Sequence, residues 1–332
     1  MSTESENKTI VLAGSKFEIL DILYNVTIPD CIVFNKIGTG HGEKKMYVGS
    51  RSAEGNRPIE FFDDFSRECF FLKKDLLRFT DDIRSEFTTP QQDYMHPEKL
   101  MQNYNIAKEA LNEIHGEYLT FKLYNVQVKP PRIYVNSVSE NWNIFRRVAL
   151  KNISYISFMK LKSVSSGKIF YYCRPFVDYR ADIVTYQSAS DKTGQMVAEK
   201  SVNSQSKASV EARQGQGEYR QKLIEDCLYC PFTMVNDERL LIASHIKPWV
   251  VSNDKEKVDY KNGFALTPTY DRLFDQGYIT FDSDKTLRVS PWITPMNQHR
   301  LSIYDGMPMP KLQLDSKREV YMVYHRQHVY KG

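Results

Sequence analysis

The sequence predicts an α+β fold in two parts: a mixed α/β, β-rich amino-terminal region joined to a smaller carboxy-terminal module of two short strands and a helix. Three observations carry this reading. From Tyr118 to Val177 large apolar residues recur with the period of two that strands require. From Leu240 to Gly277 an apolar run, a charged loop, an Asn262-Gly263 turn, a second apolar run and a capped helix follow one another. Between these stretches, Gln187 to Ser209 is rich in Ser, Gln and Lys and poor in large apolar residues, which is the composition of a linker.

Taken in order, residues 1–8 are polar and are expected to be disordered. The run from Phe17 to Leu23 has the spacing of a short helix, and Cys31 to Phe34 and Lys45 to Val48 read as strands. The glycine-rich segment between them, Gly38 to Gly42, lacks the Gly-Lys-Ser/Thr ending of a phosphate-binding loop, so it reads as a hairpin turn. Phe65 to Phe79 and His96 to Ile114 read as helices; in the second, Leu100, Tyr104, Ala107 and Leu111 share one face. Tyr118 to Val128, Arg132 to Val135, Tyr155 to Lys162 and Ile169 to Val177 read as strands. Glu218 to Cys227 reads as a helix, Leu287 to Trp292 as a strand, and Val320 to His328 as a closing strand or helix. The expected division is a recognition region over 9–186, a linker over 187–210 and a module over 211–332 with its core at 227–281.

With 332 residues and 41% hydrophobic content, the chain has material for two buried cores. No run approaches the 18 or more apolar residues of a membrane span, and the first residues lack the apolar centre of a signal peptide, so a cytoplasmic protein with no membrane partner is expected. Five cysteines without framework spacing agree with a reducing compartment. The net charge of +4 is unevenly spread. Residues 211–280 hold nine Lys or Arg against eleven Asp or Glu, whereas 117–175 hold ten basic residues against Glu117 and Glu140. Aromatic residues interleave with these cations, so a sheet with an outward basic face for the backbone of a duplex is expected there, with Arg146, Arg147, Lys160 and Lys162 as candidate contacts. The plainer alternative is a β-rich domain with a solvated basic face.

In the carboxy-terminal module, Leu240 to Ile242 form an apolar run and Pro248 forces its predecessor out of helical geometry, so His245 falls near a strand end. Thr267 and Pro268 suit the cap and first residue of a helix, and Gly277 suits its end. On that helix Asp271 and Asp275 are four residues apart and share a face. Two carboxylates so close repel unless a cation lies between them, and a hard divalent ion with oxygen ligands is the natural candidate. Taken singly, a histidine near a strand end is usually a satisfied core or surface residue, and a pair of helix aspartates is usually a solvated face. Their order with Asn262 gives the motif its weight.

The wording A-S-H-I-K-P-W, N-G-F-A-L-T-P and D-R-L-F-D-Q-G resembles the HNH nucleases, in particular a branch found in bacterial type II restriction endonucleases. The segment from Ala212 to Arg220 is similar to one that often precedes the module in that branch. The resemblance implies a ββα-metal domain that hydrolyses double-stranded DNA with Mg²⁺ or Mn²⁺. It gives His245 the part of general base, Asp271 and Asp275 the metal, and Asn262 either the loop or a place in the metal shell. Arg213, Arg220, Lys247 and Arg272 become candidate phosphate contacts, and a homodimer on DNA would account for cutting both strands. Two departures stand out. Many family members carry a metal ligand just before the base, where this chain has Ser244, and the Cys227-x-x-Cys230 pair has no second pair to complete a four-ligand zinc site. Structural zinc is therefore not expected. Two further roles stay open: a defence nuclease whose first domain senses modified DNA, and a DNA-binding protein with an inactive nuclease module.

Overall fold

The computed structural model describes residues 8–29, 32–37, 46–50, 61–128, 132–177 and 218–332. They fall in two compact units, Met1–Gln195 and Met196–Gly332. The expected disordered start, the glycine-rich hairpin, the linker and Arg213 lie outside the described residues.

The first unit is built on a six-stranded sheet in the order β1-β2-β8-β9-β4-β5, with β1 Thr9–Leu12, β2 Ser15–Thr27, β4 Cys69–Leu72, β5 Tyr118–Phe121, β8 Ser154–Ser163 and β9 Ile169–Val177. All neighbours run antiparallel except β4 and β9. A separate three-stranded sheet pairs β3 (Met46–Ser50), β7 (Arg132–Asn136) and β6 (Tyr124–Val128). Helices α1 (Lys73–Asp82), α2 (Arg84–Thr88), α3 (Leu100–Glu113) and α4 (Glu140–Val148) complete it. Phe71, Phe79, Leu111, Trp142, Phe145 and Phe158 lie in one buried cluster, which places sheet and helices around a single apolar core.

Three expectations need correction here. Phe17 to Leu23 is the centre of strand β2 and not a helix. Residues 32–35 form turns and no strand. Phe65 to Phe79 is divided between β4 and α1, so it is not one helix.

The second unit begins, among the described residues, with helix α5 over 218–227. Strands β10 (Ile242–His245) and β11 (Gly263–Leu266) pair antiparallel, so that His245 lies opposite Gly263. The loop between them carries α6 (Asp254–Val258), closed by a reciprocal cap in which the Asn253 side chain accepts from the Glu256 N–H and the Glu256 side chain accepts from the Asn253 N–H. Helix α7 (Pro268–Asp275) follows, with Thr267 as its N-cap residue and Pro268 at its first turn. It stops at Gly277, whose φ of +68° only glycine adopts without strain. A three-stranded sheet of β12 (Ile279–Phe281), β13 (Thr286–Val289) and β14 (Met307–Pro308), helix α8 (Pro295–Arg300) and helix α9 (Ser316–Tyr324) close the unit. Phe264, Phe274 and Phe281 meet pairwise at 5.7 to 5.8 Å between ring centres and join β11, α7 and β12 into one core. Among the described residues, no helix is long and apolar enough to cross a membrane.

Candidate active site

Helix α7 packs on β10 and β11, so the strand that ends in His245 faces the helix that carries both aspartates. The His245 imidazole is held on three sides. Tyr219 of α5 stacks on it at 4.3 Å and 12° between planes, Trp249 meets it edge-on at 5.5 Å, and Nε2 lies 3.1 Å from the Lys257 carbonyl oxygen. A carbonyl only accepts, so in the neutral ring the proton sits on Nε2 and Nδ1 keeps its lone pair. Burial pushes the pKa of His245 below its ordinary value against the opposing pull of the Lys257 carbonyl. Burial thus favours the neutral form of the imidazole, and the Lys257 carbonyl fixes its tautomer.

Asn262 is fully buried at the mouth of the loop. Its Oδ1 accepts from the Lys247 N–H at 2.8 Å, and its Nδ2 donates to the carbonyls of Glu256 at 3.1 Å and Lys247 at 3.2 Å. These bonds tie Asn262 to the loop that joins β10 and β11. Ser244, the residue before His245, is also buried, and its hydroxyl has no hydrogen-bond partner among the described residues.

Asp271 occupies the first turn of α7 and is buried on the same side as Phe274, the face turned to the core. Asp275 is half-buried at the last helical position, where its Oδ2 accepts from the Gln276 side chain at 3.2 Å. The helix dipole favours an anion at the first position and disfavours one at the last, so a cation near Asp275 would offset that cost. Among the described residues no three His, Cys, Asp or Glu side chains form a ready-made metal cage. Mg²⁺ does not need one, since it keeps several waters and takes one or two carboxylates together with substrate phosphate.

The two cysteines of the CxxC pair have other partners. Arg318 of α9, which is 1% exposed, donates from Nη2 to Cys227 Sγ at 3.2 Å and pairs with Asp226 at 2.7 Å, while its Nε reaches the Gly263 carbonyl at 2.9 Å. Cys230 Sγ lies 3.6 Å from the Thr267 hydroxyl. Lys261 extends the cluster by bridging Asp226 and Asp315 at 2.9 and 2.8 Å. A guanidinium and ion pairs thus tie α5, β11 and α9 together beside the cysteines.

Most of the candidate phosphate contacts are occupied within the fold. Lys247 holds both carboxylate oxygens of Glu256 at 2.7 and 2.8 Å. Arg220 donates to the carbonyls of Leu241 and Glu238. In the first unit the expected outward basic face is reduced in the same way. Arg146 is buried and donates to the Ile32 carbonyl at 2.7 Å, Arg147 donates to Asn103 at 2.9 Å, and Lys160 pairs with Asp63 at 2.9 Å. Lys160 and the Tyr171 hydroxyl, opposing the cost of burial, hold the Asp63 carboxyl down at about 2. Lys162 is exposed on β8, and Arg272 is half-buried on α7 beside Asp271.

Residues 230–282 match the model of the HNH endonuclease family. The carboxy-terminal unit therefore carries an HNH endonuclease domain, and that domain supports a nuclease. No curated protein matches the chain. The matched segment contains His245, Asn262, Asp271 and Asp275 but begins after Tyr219 and ends before Arg318. Neither was singled out from sequence. Tyr219 lies in the segment similar to the one preceding the module, which was the available signal; Arg318, far downstream, offered none.

Proposed function

We propose that the chain is a metal-dependent endonuclease that hydrolyses DNA phosphodiester bonds, in the role of a sequence-specific type II restriction endonuclease. The observation that carries this reading is the His245 imidazole, fixed at the end of β10 with Nε2 on the Lys257 carbonyl, on a strand pair that packs against the helix bearing Asp271. Nδ1 of His245 takes a proton from the attacking water. Asp271 and Asp275 would hold Mg²⁺ or Mn²⁺, which when bound stabilises charge on the phosphate and on the leaving oxygen. Asn262 clasps the loop between β10 and β11, keeping the Lys257 carbonyl at its distance from the imidazole. Lys162, exposed on β8, is a candidate phosphate contact.

Purified protein incubated with unmodified supercoiled plasmid and Mg²⁺ or Mn²⁺ tests the reading. Discrete cleavage by wild type and none by His245→Ala supports a restriction-type nuclease. Cleavage confined to methylated plasmid moves the role to a defence nuclease that senses modification. Wild type and His245→Ala equally inactive with every ion, while both bind DNA, would make the module an inactive one.

A further inference from the structure

Tyr219 stands outside the matched segment, on helix α5, yet its ring lies face to face with the imidazole of His245 at 4.3 Å. We propose that Tyr219 is a positioning residue for His245, setting the plane of the imidazole and keeping water from its face during DNA hydrolysis. The inference rests on the nuclease reading above and deepens it by adding a residue to the machinery of the base.

The contact is built from several directions. The Tyr219 hydroxyl donates to the Asn262 carbonyl at 3.1 Å, so the ring cannot swing without breaking a buried bond. Asn262 is in turn locked through its side chain to both ends of the loop. Gly263 faces His245 across the two strands, and a Cβ there would lie 2.3 Å from both Tyr219 Oη and Leu223 Cδ1, so the glycine is what lets α5 seat its tyrosine against the pair. Trp249 covers an edge of the imidazole and the Lys257 carbonyl holds Nε2. Those two contacts leave the ring free to tilt about the line joining them; a flat aromatic neighbour removes that freedom. A general base that tilts loses alignment with its water, and misplacement by an ångström costs up to about 100-fold in rate.

The test compares Tyr219→Phe and Tyr219→Leu with wild type in full-length protein. Three quantities are read: single-turnover cleavage rate with Mg²⁺, duplex binding by anisotropy with Ca²⁺, and the His245 ring-proton shifts by NMR. The phenylalanine keeps the face and loses only the hydroxyl bond, so its rate stays within about threefold of wild type. The leucine lowers the rate by about 10- to 100-fold with binding within about twofold, and moves the His245 resonances away from their ring-current position. Tyr219→Leu placed in His245→Ala adds less than about twofold, because a residue acting through an absent base has nothing left to position. Should the leucine variant fail to fold, Tyr219→Met, of similar reach without a rigid face, takes its place. The inference is overturned if Tyr219→Leu cleaves at the wild-type rate while His245→Ala is inactive, if the phenylalanine fails to restore the rate, or if the leucine costs as much with the base removed. An inactive wild type overturns the nuclease reading itself, and the inference with it.

Discussion

Replacing Asn262 by alanine and by aspartate separates a loop clasp from a metal ligand. Alanine strands the Lys247 N–H, now bonded at 2.8 Å, and removes donors from the carbonyls of Lys247 and Glu256 at 3.2 and 3.1 Å in a fully buried place. One stranded donor and two weakened acceptors amount to about 2–4 kcal/mol. Aspartate keeps the acceptor for Lys247 but turns a buried carboxylate on two carbonyl oxygens, so it costs more than alanine, about 4 kcal/mol or above. Calorimetry of the full-length protein reads both, and a loss of about 3 kcal/mol corresponds to roughly 10 °C in the transition of a unit this size. A metal ligand behaves in the opposite order, with aspartate tolerated and the response to Mg²⁺ tightened. Asn262→Asp as stable as wild type, or Asn262→Ala within about 0.5 kcal/mol of it, refutes the clasp.

Other consequences follow from neighbouring residues. Because burial lowers the His245 pKa, the acid limb of the cleavage-rate profile falls below the ordinary histidine value of 6.5, with a plateau above it; a limb above 6.5 contradicts the buried imidazole. The same shift means that the unfolded chain binds the proton more readily, so the contribution of His245 to stability is present above pH 6.5 and is lost as pH falls from there through the folded pKa, which urea titrations at several pH values show. Arg318→Met removes the guanidinium from Asp226, Cys227 and the Gly263 carbonyl and destabilises the second unit by about 2–3 kcal/mol, measurable by the same calorimetry. Gly277→Ala forces a Cβ to 1.9 Å from the Val329 carbonyl oxygen at a φ of +68°, and lowers stability by about 3 kcal/mol.

The parts of the fold legible in the sequence are those set by local chemistry. Thr267 and Pro268 start α7 and Gly277 ends it because caps and a positive φ are properties of single residues. Phe17 to Leu23 deceived for a physical reason: the pairing of β2 with β8 slips between Ile19 and Asp21 and again between Leu23 and Val26, and such irregularities break the period of two and leave apolar residues at helical spacing. The basic stretch deceived differently. Composition counts Arg174 and Lys160 as surface charge, but Asp75 and Asp63, far away in the chain, take them into ion pairs at 3.0 and 2.9 Å. His245, Asn262 and the aspartates stand out in the sequence because they are chemistry-bearing residues in a recognisable order, and the stretch that carries them matches the HNH endonuclease family. Tyr219 acts through a ring plane, which no residue pattern displays.

The central question is whether the imidazole at the end of β10 drives strand cleavage. Single-turnover cleavage of an end-labelled DNA duplex with excess full-length protein and Mg²⁺, wild type beside His245→Ala, measures this directly. Metal-dependent product from wild type, abolished by EDTA and reduced at least about 100-fold in the variant, is the predicted result. Equal product from both proteins, or product that persists in EDTA, would contradict it.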